Sequence, residues 1–255
     1  MKLDEFRDRK NKEKIIMLTA YDYQVAQILD EVGIDLILVG DSLGMVVQGH
    51  MDTKSVTMED MLYHTRAVAR GAKKTPIIGD MSINSDKSVE EALKSARRFL
   101  EAGAHGVKIE GNKSKAIEAL LNEGIPVMGH TGLLPQTAPS YRLRGKQPED
   151  AEKIFHDTLE LDKLGVFTIV LECIPESLAK KITEAVSAPT IGIGAGKYCD
   201  GQVLVINDML GLGQSFNPKY LKRYANLNQI IKGAVKSFKQ EVKTGKYPDE
   251  EHTYH

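Results

Sequence analysis

Cysteine is nearly absent: the chain of 255 residues has two, Cys173 and Cys199. So few exclude a disulfide framework, and their spacing is not that of a structural zinc site, so reduced thiols are expected. An excess of one charge is also missing. Lys and Arg number 34 against 35 Asp and Glu, for a formal net charge of −1. That balance leaves no electrostatic footprint for nucleic acid, and small-molecule chemistry is the better starting point. Long apolar runs are missing too, since no window approaches the roughly 20 apolar residues of a membrane span. The start, Met1-Lys2-Leu3-Asp4-Glu5-Phe6-Arg7, is charged where a secretory signal needs an apolar stretch, so a cytoplasmic location is expected. No interior linker or low-complexity segment divides the chain. One domain over residues 1–255 is therefore expected, with a short N-terminal helix and a polar, frayed tail from Lys243 onward.

What the sequence does contain is alternation. Strand-like apolar runs recur at residues 14–20, 35–41, 76–80, 106–110, 125–129, 167–172, 189–194 and 202–206. Helix-compatible segments with an apolar stripe lie between most of them, at 56–70, 88–102, 113–122, 148–163 and 176–186. Gly33, Gly71, Gly103, Gly124 and Gly165 are placed to close helices in the left-handed conformation. Eight β-then-α units in a chain of this length predict a closed parallel (β/α)8 barrel. The connection between the seventh and eighth strands, Ala195 to Gly201, is too short for a full crossover helix. Two long loops, 42–55 and 131–147, are natural lids.

Three of the runs end on a carboxylate: Asp41 after the second, Asp80 after the third and Glu110 after the fourth. In a barrel these ends converge at the catalytic face, and three gathered acids repel one another unless a cation is bound. Hard oxygen donors without His or Cys suit Mg²⁺ or Mn²⁺. For each acid alone, helix capping or pairing with a basic neighbour is the competing role. Lys108, two residues before Glu110, shares its face of the strand and points into the barrel. It can hold a substrate anion, stabilise an enolate, form a Schiff base or serve only as an ion-pair partner. His130 and Glu172 end the fifth and sixth runs, placed to donate to a reacting oxygen and to act as general base; a satisfied histidine and a capping glutamate are the competing roles. The glycines of Gly192-Ile193-Gly194-Ala195-Gly196 are not a dinucleotide fingerprint, because no helix follows to receive a pyrophosphate.

Several segments carry a resemblance: Gly40-Asp41-Ser42-Leu43-Gly44-Met45-Val46-Val47, Thr57 to Thr65, Val107-Lys108-Ile109-Glu110-Gly111, Gly129-His130-Thr131-Gly132-Leu133, and Leu171-Glu172-Cys173-Ile174-Pro175 with Gly192 to Gly196. Together, over nearly the whole chain, they resemble the ketopantoate hydroxymethyltransferases. The resemblance implies a (β/α)8 TIM barrel of the phosphoenolpyruvate/pyruvate type. It further implies transfer of a hydroxymethyl group from 5,10-methylenetetrahydrofolate to 3-methyl-2-oxobutanoate through a metal-stabilised enolate, giving 2-dehydropantoate for pantothenate and coenzyme A. The implied Mg²⁺ ligands are Asp41, Asp80 and Glu110; the implied substrate contacts are Asp41, Ser42, Asp80 and Lys108. Glu172 is the implied proton acceptor, with His130 near the substrate, and a homo-oligomer, commonly a decamer, is implied as well. The loop Leu134-Pro135-Gln136-Thr137-Ala138-Pro139-Ser140-Tyr141-Arg142-Leu143-Arg144-Gly145 departs from the family's pattern by being shorter and lacking a glycine pair before the tyrosine. Two rivals share some of these features: a metal-dependent carbon–carbon lyase or mutase acting on another 2-oxo acid, and a non-catalytic barrel.

Overall fold

A computed structural model describes residues 3–213 and 216–255. Eight strands close into a barrel: β1 (Ile15–Thr19), β2 (Leu36–Val39), β3 (Ile77–Asp80), β4 (Gly106–Glu110), β5 (Val127–Gly132), β6 (Thr168–Glu172), β7 (Thr190–Ile193) and β8 (Gly201–Leu204). Each pairs in parallel with its sequence neighbours, and β8 pairs with β1. The connections carry helices α1 (Tyr23–Val32), α2 (Leu43–Val46), α3 (Met58–Gly71), α4 (Val89–Glu101), α5 (Ser114–Asn122), α6 (Pro148–Leu164) and α7 (Glu176–Ala185). As its length predicts, the link from β7 to β8 holds no helix. The barrel belongs to one compact unit, Met1–Val205; a second, Ile206–His255, contains α8 (Ile206–Met209) and α9 (Leu227–Lys243). No described helix is long and apolar enough to cross a membrane.

The barrel interior follows from strand parity. Ile15, Met17, Leu36, Leu38, Ile78, Met128, Val170, Ile191 and Val203 form one buried cluster, and Leu3 and Phe6 of a 3₁₀ helix (Leu3–Arg9) join it. Phe6 lies with its ring 6.3 Å from that of Phe167. Parity also aims Asp80, Lys108, Glu110, His130 and Glu172 inward, because each is an even number of residues from a core member of its own strand or from an inward neighbour.

Local signals explain the boundaries. α3 begins at Met58 rather than 56 because Thr57 caps it, accepting from the backbone of Asp60 while Asp60 bonds back to Thr57. β5 runs later than expected, over 127–132 instead of 125–129. Pro126 has no N–H to donate, and the N–H of Ile125 goes to the carbonyl of Leu120 at 3.0 Å, so pairing starts at Val127. His130 thus sits inside the strand and not at its end. Gly71 is also not the left-handed cap expected. It is the last residue of α3, and a Cβ there would lie 2.3 Å from the carbonyl of Tyr23 and 2.9 Å from Cβ of Ala26, so its bareness lets α1 pack closely on α3. Gly33 and Gly165 do end α1 and α6 with φ of 78° and 98°. The loop after β2 contains the short helix α2, which the sequence pattern did not reveal.

At the opposite end of the barrel from the acids, Asp200 is buried and accepts from Lys10 Nζ at 2.7 Å, the Thr190 backbone at 2.8 Å and the Asn11 backbone at 3.2 Å. This end of a barrel serves stability. Breaking a buried ion pair from one side costs about 3–5 kcal/mol. Asp200→Ala is therefore expected to lower the melting temperature by about 10 °C, at roughly 2–4 °C per kcal/mol for a unit of this size, as read by circular dichroism. A shift under about 2 °C would show that the cluster adds little.

Candidate active site

Backbone register sets the site. Asp80 on β3 stands opposite Lys108 on β4, Glu110 opposite His130 on β5, and Gly132 opposite Glu172 on β6. Gly132 has a φ of 95°, and a Cβ there would come 2.3 Å from the carbonyl of Glu172, so only glycine lets the chain leave β5 beside that acid.

Asp80 is gripped from two sides. Its Oδ1 lies 2.8 Å from Lys108 Nζ, and its Oδ2 accepts from the backbone of Asp41 at 3.1 Å. Lys108 is buried. Burial alone would lower its pKa, but Asp80, Glu110 and Asp41 outweigh that and raise it, keeping the ammonium charged. Its Nζ is 3.2 Å from His130 Nδ1. An ammonium has no lone pair, so Nδ1 accepts, and the ring carries its proton on Nε2. Burial, and then the Lys108 charge, hold the His130 pKa well below its usual value, so the ring is neutral. Nε2 lies 3.2 Å from Glu172 Oε2. Ser42, at the start of α2, has its hydroxyl 2.8 Å from that of Tyr21.

The acids are electrostatically crowded. Asp41 is raised well above the ordinary carboxylate range by burial, then by Asp80 and Glu110. Burial pushes Glu110 up to about 8, with Lys108 opposing and Asp80 and Glu172 adding to the shift. Glu172 rises to about 7, chiefly by burial, with Lys108 pulling it down and Asp80 pushing it up. The Glu172 side chain is nonetheless 17% exposed, while those of Asp80 and His130 are at 2%. It is the carboxylate in this group that an incoming molecule can reach.

Among the described residues no three His, Cys, Asp or Glu side chains close into a finished ligand cluster. The donors still fit a hard divalent cation. Glu110 is buried, and its Oε1 has no hydrogen-bond partner. Four acids, Asp41, Asp80, Glu110 and Glu172, surround one ammonium, and this excess of negative charge adds to burial in raising the pKa of Asp41, Glu110 and Glu172. Magnesium takes one or two carboxylates and completes its shell with water and substrate oxygens, so a fully closed protein cage is not required.

The sequence pattern brought six residues to notice, Asp41, Asp80, Lys108, Glu110, His130 and Glu172, and all six lie at this mouth. It missed Gln136, which is buried and reaches in from the loop after β5. The apolar flank Leu133-Leu134-Pro135 is the local sign that this loop turns inward.

A closed parallel barrel with buried acids, a charged lysine and a reachable carboxylate at the C-terminal ends of its strands defines a (β/α)8-barrel enzyme. Solved structures share the fold: phosphonopyruvate hydrolase, at a TM-score of 0.65 and 12% identity over 100% of this chain and 92% of its own, and 2,3-dimethylmalate lyase, at 0.63 and 15% over 98% and 90%. Residues 1–250 match the family described as ketopantoate hydroxymethyltransferase, and the chain belongs to that family. A relative from Syntrophus aciditrophicus, named 3-methyl-2-oxobutanoate hydroxymethyltransferase, is 51% identical over 253 residues, covering 96% of this chain and 93% of its own.

Proposed function

We propose that the protein transfers a hydroxymethyl group from 5,10-methylenetetrahydrofolate to 3-methyl-2-oxobutanoate, giving 2-dehydropantoate in pantothenate biosynthesis. The observation that carries this reading is one mouth in which a reachable carboxylate, Glu172, stands beside neutral His130 and charged Lys108, among three acids suited to a metal.

Asp41, Asp80 and Glu110 would hold the divalent cation, Mg²⁺ or a similar ion, which when bound withdraws charge from the 2-oxo group and so acidifies C3. Glu172 accepts the C3 proton, and the electron pair left behind becomes the enolate. Lys108 faces the developing oxyanion. Its raised pKa keeps the amine without a free lone pair, which favours this role over Schiff-base formation. Asp41, Ser42, Asp80 and Lys108 contact the oxo acid, and the Nε2 proton of His130, which has no hydrogen-bond partner in the protein, is left for the substrate. Water adds to the methylene carbon of the folate and both of that carbon's bonds to nitrogen break, the two nitrogens keeping the electron pairs and taking up the two protons of the water. C3 of the enolate then bonds to the released one-carbon unit, and that unit's oxygen takes the proton held by Glu172 to become the new hydroxyl. We assign to the anionic end of the folate a cavity of about 410 Å³ whose lining includes Lys54, Lys94 and Arg98 as well as Glu91.

The assembly we assign is a homo-oligomer, and a decamer by family resemblance. An exposed apolar stripe on α9, Ile231, Val235, Phe238 and Val242, supports association, since surface of that kind is usually covered. The compartment is the cytoplasm, where two unpaired cysteines stay reduced.

The test follows product and exchange together. With Mg²⁺ and both substrates, 2-dehydropantoate is expected by mass spectrometry; with the folate left out, no product is expected, but the C3 hydrogen still exchanges in D₂O. Cleavage or rearrangement of the oxo acid without folate would replace this reading by the lyase or mutase alternative.

A further inference from the structure

Gln136 makes contacts that the chemistry above leaves without a purpose. Its side-chain Nε2 donates to Asp41 Oδ2 at 2.9 Å and to the carbonyl of Met81 at 2.7 Å, so both amide hydrogens are used. Its backbone N–H donates to Glu110 Oε2 at 3.2 Å. One residue therefore binds an acid after β2, the backbone after β3 and an acid on β4. It does so from the loop between β5 and α6. The loop is itself held in shape: the carbonyl of Leu134 accepts from Thr137 and Ala138 at 3.1 and 2.8 Å, and Lys54 Nζ donates to the carbonyl of Ala138 at 3.4 Å. Gln136 is 3% exposed, so these bonds are made away from competing water.

We propose that Gln136 is the positioning residue of the cation site. It occupies one oxygen of Asp41 and one of Glu110, which fixes the rotation of both carboxylates and leaves Asp41 Oδ1 and Glu110 Oε1 as the oxygens turned to the ion. Glu110 Oε1 has no hydrogen-bond partner, as this division of labour requires. Because the donors come from a loop, seating the loop and orienting the carboxylates are one event. Outer hydrogen bonds of this kind are worth about 10- to 100-fold in metal affinity. The inference rests on the metal reading given above.

The probe is Mn²⁺ alone, titrated into metal-stripped full-length protein and followed by the loss of the free-ion electron paramagnetic resonance signal. Gln136→Met keeps the length and removes both side-chain N–H donors, to Asp41 and to Met81, while the backbone bond to Glu110 stays; Gln136→Asn keeps the amide but falls short of Asp41. Each is expected to weaken Mn²⁺ binding by about 10- to 100-fold, whereas Thr137→Ala, an exposed neighbour, keeps wild-type affinity. Hydrogen exchange gives a second readout. In the wild type, Mn²⁺ slows exchange of the backbone amides of Leu134 and of residues 136–138; in Gln136→Met the same saturating metal does so far less. Wild-type Mn²⁺ affinity in either folded Gln136 variant overturns the assignment while leaving the metal reading intact. Failure of the wild type to bind Mn²⁺ overturns both.

Discussion

Glu172→Gln is expected to slow exchange of the C3 hydrogen of 3-methyl-2-oxobutanoate in D₂O by about 10²- to 10⁴-fold, the span over which a positioned general base acts. Three observations lead there. The carboxylate is the reachable member of the group, its neighbour His130 is neutral and so does not compete as a charged acid, and its pKa stands at about 7. A base with that value accepts a proton from carbon better than an ordinary carboxylate does. It also works only when ionised, so wild-type exchange should climb as pH rises through the Glu172 pKa and then level off. Gln keeps the size of the side chain and removes the accepting charge. Mn²⁺ affinity is expected to change little, because Glu172 is not among the proposed ligands. Exchange at the wild-type rate in Glu172→Gln would take the residue out of the base role.

The second large effect is in stability and couples pH to metal. In the folded, metal-free protein Glu110 titrates near 8 against an ordinary value of 4.5, and Asp41 is raised as well. A carboxyl whose folded pKa is raised contributes stability that is complete below the unfolded value and is lost as pH climbs through the folded one, since the buried charge must then be borne unpaired. Metal-free protein should accordingly melt at lower temperature at pH 8.5 than at pH 5. A divalent cation needs the same carboxylates ionised, so its benefit runs the opposite way and grows with pH. At a free concentration of about 100 times the dissociation constant, binding adds about 2.7 kcal/mol. At roughly 2–4 °C per kcal/mol, the Mg²⁺-induced rise in melting temperature at pH 8.5 should be about 5–10 °C. At pH 5 it should be close to nil. Equal rises at the two pH values would show that the ion is not held by these acids.

The legibility of the chain was uneven, and the reasons are physical. Strand parity made Lys108 and Glu110 readable as partners, because a period of two puts residues 108 and 110 on one face whatever the rest of the chain does. Glycine at 33 and 165 could be read as a helix end, since few other residues accept a φ of 78° or 98°. Gly71 could not, because its reason lies in α1, some 45 residues earlier in the chain, and not in its own turn. β5 was misplaced at its start because an apolar run does not by itself show which N–H groups have been spent, and Pro126 has none to spend.

By itself the sequence determined the number of strands, their alternation with helices and the face on which each inward side chain lies. These follow from periodicities and caps that act over a few residues. Only the tertiary structure decided what those side chains meet: Asp80 against Lys108, His130 Nδ1 against Lys108 with Nε2 3.2 Å from Glu172, and Gln136 reaching Asp41 from 95 positions away. Such pairings depend on how the barrel closes and how a loop returns over its mouth. Closure register and loop path are set by the summed packing of the whole unit, and they leave no trace in the spacing of neighbouring residues.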